Sequence, residues 1–173
     1  MSRGRAGGNV TLRAARPAET ARLTAIALAA KAHWGYPAAW LELWRPSLTF
    51  DAELLARAWV RVAELDGALR GVVALGGEPP AVELTHLWVD PPAMGRGLGR
   101  RLLSAAVAEA RRRGAARLTI VADPHAVAFY ERLGARTIGE EPSSPAGRML
   151  PLMALDPRPA GAGRRRGEQG GES

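Results

Sequence analysis

Between Leu84 and Leu103 the chain reads LTHLWVDPPAMGRGLGRRLL, with glycines at 95, 97 and 99 where an apolar stretch gives way to an amphipathic one. Glycine lets backbone N–H groups approach a ligand closely, and a helix beginning there presents unpaired N–H groups with a partial positive charge. That arrangement suits a phosphate or pyrophosphate. Arg96, Arg100 and Arg101 add cationic charge and favour a polyanion over a neutral ligand. Two titratable groups precede the glycines. Glu83 stands between apolar Val82 and Leu84, where partial desolvation would raise a carboxyl pKa toward that of a useful base. His86 titrates where a base should, but strict alternation turns it to the other side of the strand from Glu83.

The spacing narrows the choice of anion. G-x-G-x-G is neither the dinucleotide pattern G-x-G-x-x-G nor the P-loop G-x-x-x-x-G-K-[ST]. Asp123 falls about where a dinucleotide fold places its ribose-binding acid. Against that fold, the glycines begin six residues after the strand, and too little chain follows for a doubly wound sheet.

The elements around this stretch follow from periodicity and turn chemistry. Val10 to Ala14 alternates as a strand, and Pro17 opens a helix through Ala32 with Leu23, Ile26, Ala27 and Ala30 on one face. A short helix from Ala38 to Trp44 and another from Ala52 to Arg57, N-capped by Asp51, come next. Trp59 to Leu65 and Leu69 to Leu75 flank Asp66-Gly67 as a hairpin, residues 76 to 80 turn the chain, and Ala81 to Val89 is a third antiparallel strand. A helix from Gly97 to Arg113, stopped by Gly114, crosses over to a parallel buried strand, Ala116 to Ala122. Asp123-Pro124 caps a helix from His125 to Leu133. Arg136 to Glu141 and Arg148 to Asp156 are the last strands, and the loop between them, 142 to 147, is long enough to border a site. Four of the chain's seven Trp and Tyr residues lie between Trp34 and Trp44, either as core anchors or as walls of a pocket suited to an apolar or cationic body.

Met94-Gly95-Arg96-Gly97-Leu98-Gly99 behind Leu87-Trp88-Val89-Asp90-Pro91, followed by Asp123 through Ala126 to Phe129-Tyr130 and Leu133-Gly134, resembles the two sequence blocks of the GNAT acetyl-CoA-dependent N-acetyltransferases. The resemblance covers roughly residues 9 to 156 and departs at Met94, where the family usually has Arg or Gln. It implies an α/β fold with a mixed, mostly antiparallel sheet of about seven strands and helices on both faces. It also implies a co-substrate, acetyl-CoA, whose pyrophosphate lies on the N–H groups of residues 95 to 100 and whose pantetheine arm pairs with Leu87, Trp88 and Val89 beside Asp123, Ala126 and Phe129. Tyr130 takes the family's general-acid position and Glu83 that of its catalytic glutamate, with His86 or water as the other bases. Trp34, Tyr36 and Trp40 fall in the segment that borders the acceptor. The acceptor would be a primary amine, small or on a peptide, that attacks the thioester directly, without a covalent enzyme intermediate, because no cysteine or activated serine constellation is present. Dimers are common in the family, and the 142 to 147 loop could lie at such an interface.

Composition leaves few rival classes. The chain has 173 residues, suited to one domain, and 47% are hydrophobic. There is no cysteine, and the histidines offer no metal-ligand spacing. Without a signal-length or membrane-length apolar run, a cytoplasmic protein is the expectation. The net charge is +7, but residues 9 to 157 carry 18 basic against 15 acidic side chains, so much of the excess lies in a leader (1 to 8) and a Gly/Arg-rich tail (158 to 173) expected to be disordered. Nucleic-acid binding is therefore a lesser alternative, as is a non-catalytic sensor of acyl-CoA.

Overall fold

Asp66 and Gly67 both adopt positive φ, 52° and 80°, as the tightest hairpin turns require. They join β2 (Trp59–Leu65) to β3 (Ala68–Glu78) in the computed structural model, which describes residues 8–160. The ladder runs on past Leu75, because Gly76 pairs with Glu83 and Gly77 with Val82, so the glycines expected to form the next turn belong to the strand. Pro79 and Pro80 turn the chain instead, into β4 (Ala81–Val89).

With β1 (Val10–Ala14), β5 (Arg117–Val121), β6 (Arg136–Ser143) and β7 (Arg148–Leu155), the strands form one seven-stranded sheet in the order β1-β2-β3-β4-β5-β7-β6. Every pairing is antiparallel except β4 with β5. The crossover between those two is α4 (Leu98–Arg112), which buries Leu98, Leu102, Leu103, Ala106 and Ala110. These residues, with Val73, Leu75, Val82, Leu84, Leu118 and Ile120 from the sheet and Tyr130 from α5 (Val127–Arg132), fill the core on one face.

The other face is covered by α1 (Thr20–Ala32), α2 (Ala38–Leu48) and α3 (Ala52–Arg57). Its core joins Leu23 and Ala27 of α1 to Trp44, Leu48, Phe50, Val60, Val62, Val72 and Ala74. The Asp51 side chain accepts from Leu54 N–H, the cap expected there. α2 runs one turn beyond the expected end at Trp44 and contains Pro46, whose missing N–H leaves only one ladder bond unmade before Thr49 ends the helix. The leader and tail expected to be disordered lie, apart from Gly8 and residues 158 to 160, outside the described residues.

Candidate active site

The parallel pairing of β4 with β5 is short. Ala81 to Leu84 pair with Arg117 to Ile120, and there the ladder stops. Beyond it β5 turns to β7, with Ala122 N–H donating to Pro151 O, while β4 continues to Val89 bonded only to β3. The two strands splay, and the backbone of Thr85 to Val89 keeps one edge without a strand partner among the described residues. An extended chain with amide groups fits such an edge as an added strand would.

The open edge leads into the glycine loop. Asp90 is buried at its start and receives Arg22 Nη2 and Arg70 Nη1, each at 2.7 Å, which anchors the end of β4. Gly95 and Gly97 take φ of 77° and 82°, and a Cβ at either would meet nothing within 4 Å, so conformation and not crowding calls for glycine. Gly97 is the N-cap of α4, and the first intrahelical bond is Arg101 N–H to Gly97 O, 3.1 Å. The N–H groups of Leu98, Gly99 and Arg100 precede it and have no intrahelical acceptor. Met94 is extended, and its side chain, unlike the Arg or Gln expected there, carries no polar hydrogen-bond donor.

On β4 an irregularity alters the expected facing of the candidate bases. The register shifts at Ala74 and Leu75, which face His86 and Leu84, leaving Thr85 as an extra residue. Strand alternation is thereby reset, and Glu83, His86 and Trp88 share the face covered by α1 and α2, contrary to the opposite facing that regular alternation predicts. Glu83 is exposed, because its apolar neighbours Val82 and Leu84 point into the other core, so they do not desolvate it as expected. His86 lies against Phe50, with ring centroids 4.6 Å apart, and its Nδ1 accepts from Trp88 Nε1–H at 3.1 Å. Burial lowers its pKa to about 4, so the ring is neutral, with its proton on Nε2 and its one lone pair engaged.

At the far side of the splay, Asp123 ends the turn after β5 and caps the following turn by accepting from His125 N–H. Its carboxylate also receives Lys31 Nζ at 2.5 Å and the Tyr36 hydroxyl at 2.9 Å. Burial works to raise the Asp123 pKa, but the bonds from Lys31, His125 N–H and Tyr36 outweigh it and hold the carboxyl below its ordinary value. For Lys31 burial is the larger effect and lowers its pKa against the pull of Asp123. Tyr36 is pushed up to about 12 by burial and by Asp123.

Aromatic rings surround this ion pair. Lys31 Nζ lies 5.1 Å from the Tyr36 ring centroid, 4.7 Å from that of Trp44 and 6.0 Å from that of Trp88. The Arg148 guanidinium, at the start of β7, lies 5.2, 5.8 and 4.8 Å from Tyr36, Trp40 and Trp44, and its Nη2 donates to the Tyr36 hydroxyl at 3.0 Å. Trp44 Nε1–H donates to Ser144 O, tying α2 to the loop before β7. Trp34 is 39% exposed and stacks on His125 at 4.9 Å. The fold thus brings Trp34, Tyr36 and Trp40 together beside Asp123, with Trp44 as the core anchor beneath them.

Tyr130 and Phe129 pack edge to face on α5, and a Cβ at Gly99 would touch Phe129 Cζ at 3.4 Å, so α5 closes on the first turn of α4. Ala126 packs against the same core. Burial, with the charge of Asp123, raises the Tyr130 pKa. Its hydroxyl bonds to no protein group among the described residues, yet no fully buried side-chain polar atom there lacks a partner, so the hydroxyl opens onto accessible space.

Sequence reasoning missed Lys31 and Arg148. Lys31 was legible, since it follows Leu23 and Ala27 at intervals of four on the buried stripe of α1. Arg148 carries no such signal.

Residues 22–135 match the sequence model described as "Acetyltransferase (GNAT) family". A curated protein of Pseudomonas phage PaMx11, 5-NmdU N-acetyltransferase, is 36% identical over 89 residues, 49% of this chain; the chain spans only 61% of that relative's length. The solved GCN5-related N-acetyltransferase of Rhodopseudomonas palustris superposes with a TM-score of 0.72 at 25% identity, over 84% of this chain and 94% of that one. PaiA N-acetyltransferase from Thermoplasma acidophilum, solved with coenzyme A, shares the fold at TM-score 0.71 and 16% identity, over 86% and 99% of the two chains.

Proposed function

This chain belongs to the acetyltransferase (GNAT) family, and from that premise we propose that it moves an acetyl group from acetyl-CoA to a primary amine by direct attack. The observation that carries the proposal is the continuity of three features: the open edge of β4 over Thr85 to Val89, the loop with Gly95 and Gly97 at positive φ, and the free first-turn N–H groups of α4. An acyl thioester ending in a long diamide arm and a pyrophosphate needs those features in that order.

Acetyl-CoA supplies an activated carbonyl: the amine nitrogen bonds to its carbon, the C–S bond breaks, and the thiol is released. The chain's residues position the groups and move protons. Backbone groups of Leu87 to Val89 align the arm and polarise the carbonyl; the N–H groups of residues 95 to 100, with Arg96 and Arg100, hold the pyrophosphate. Asp123, Ala126 and Phe129 border the arm from the β5 side. Tyr130, whose hydroxyl has no protein partner among the described residues, donates toward the departing sulfur. With its pKa raised, it serves better as a hydrogen-bond donor that returns a proton than as a strong acid. Glu83, one residue before the last β4–β5 pair and on the α1/α2 face, receives the amine proton directly or through water. His86 is unsuited to that role, because its lone pair is taken by Trp88 and its pKa is about 4.

Calorimetric titration with acetyl-CoA tests the donor site. Gly97→Asn and Gly97→Asp have nearly the same shape and both tolerate positive φ, so they differ chiefly in charge. At about 5 Å and an effective dielectric constant of about 20, one added carboxylate repels each phosphate charge by about 3 kcal/mol. Affinity should fall at least tenfold further in Gly97→Asp than in Gly97→Asn. Equal affinities would place the pyrophosphate elsewhere.

A further inference from the structure

We infer that the amine acceptor carries a carboxylate, and that Arg148 is the residue that recognises it. This rests on the acetyl-transfer reading above and names the substrate class for the same site.

An aromatic box such as Tyr36, Trp40, Trp44 and Trp88 is ordinarily a receptor for a cation. Here the box is filled by the protein's own cations. Lys31 Nζ lies within reach of the rings of Tyr36, Trp44 and Trp88, and the Arg148 guanidinium covers Tyr36, Trp40 and Trp44. A polyamine or a lysine side chain would have to compete with both cations at Tyr36 and Trp44 and with Arg148 at Trp40, which weighs against the cationic half of the apolar-or-cationic expectation.

The charges point the same way. Among the described residues Asp123 is the one carboxylate bonded into the cluster, and Lys31, His125 N–H and Tyr36 already engage it. Lys31 and Arg148 together against Asp123 leave the wall with one positive charge in excess. Arg148 has no salt bridge among the described residues, and its only side-chain hydrogen bond there is from Nη2 to the Tyr36 hydroxyl. Its guanidinium is held among the three rings, and its remaining N–H donors, arranged as a fork, have no protein acceptor among the described residues. A carboxylate is the planar, two-oxygen group that this fork fits. The excess charge also favours the neutral, attacking form of a nearby amine over its ammonium form. Through the Tyr36 hydroxyl, Arg148 is two hydrogen bonds from Asp123 at the mouth of the splay, close enough for one small molecule to reach both.

The test follows release of free CoA from acetyl-CoA with three sets of acceptors: α- and ω-amino acids, their carboxamides, and phosphoethanolamine. In the wild-type protein at least one amino acid should show kcat/KM roughly 10- to 100-fold above its own carboxamide, the range expected for charge-assisted paired hydrogen bonds. Arg148→Gln should erase that ratio chiefly by raising KM for the acid, and Arg148→Lys should restore only part of it. The wild-type comparison needs no variant, so it decides even if Arg148→Gln fails to fold. Equal turnover of acid and carboxamide, a preference for phosphoethanolamine over every carboxylate, or acetyl-CoA binding without acetylation of any amino acid would each overturn the proposal while leaving the donor site standing. Failure to bind acetyl-CoA would remove the acetyl-transfer reading beneath it.

Discussion

Replacing Lys31 with methionine keeps the length and apolar stem of the side chain but withdraws the ammonium from Asp123. Both partners are nearly sealed, with side-chain exposures of 9% and 11%, so water cannot take the place of the lost charge. Breaking one side of a buried pair costs about 3 to 5 kcal/mol, because the remaining ion stays desolvated. Tyr36 O–H and His125 N–H still serve Asp123, which places the expectation at the lower end, about 3 kcal/mol. For a domain of this size that is a fall in Tm of roughly 6 to 12 °C. The double variant Lys31→Met with Asp123→Asn should recover most of the loss, since the amide carries no charge and still accepts from His125 N–H as a cap. The pH dependence has a definite sign. In the wild type the Asp123 pKa lies below its unfolded value, so its contribution is present at neutral pH and is lost in acid. Without Lys31, burial is opposed only by the bonds from His125 N–H and Tyr36, so the native pKa rises and less stability is lost in acid than in the wild type. The gap between Lys31→Met and wild type should therefore narrow from pH 7 toward about pH 4. Urea unfolding of the four proteins of the cycle at both pH values measures this. A coupling energy below about 0.5 kcal/mol, or a gap that widens in acid, would refute the account of the pair.

Two further outcomes follow from the site. Tyr130→Phe should leave acetyl-CoA affinity within about twofold and lower kcat by roughly 10- to 100-fold, measured by thiol release, since the ring packs unchanged and only a donor is lost. The His86 ring should remain neutral down to about pH 5 in a nitrogen-15 NMR titration, with the proton on Nε2; a midpoint near 6.5 would mean that the ring is not buried in solution as it is here.

The frame of the protein was legible in its sequence because turns and caps act locally. Asp66-Gly67, the Asp51 cap, the glycines before α4 and the parallel crossover all formed where residue chemistry placed them. What escaped depends on pairing. The extra residue at Thr85 is a property of β4 against β3 and leaves no mark in β4 alone, so the facing of Glu83 and His86 could not be read. The rings between Trp34 and Trp44 stood out as core anchors or pocket walls, but the cations packed against them come from positions 31 and 148, separated by most of the chain. Distance along the chain hid the partner, although the buried stripe of α1 already pointed at Lys31.

Lys31 is also the only lysine in the chain, all other basic side chains being arginine. A guanidinium is a poor nucleophile toward a thioester, and the single ε-amine is buried in a salt bridge at 2.5 Å. The one side-chain amine that a thioester could acylate is thus withdrawn from solvent and held as a salt bridge. The same burial shields the one ε-amine of the folded domain from amine-directed labelling reagents and from lysine-specific proteases, so modification at Lys31 would report directly the opening of the cluster around Asp123.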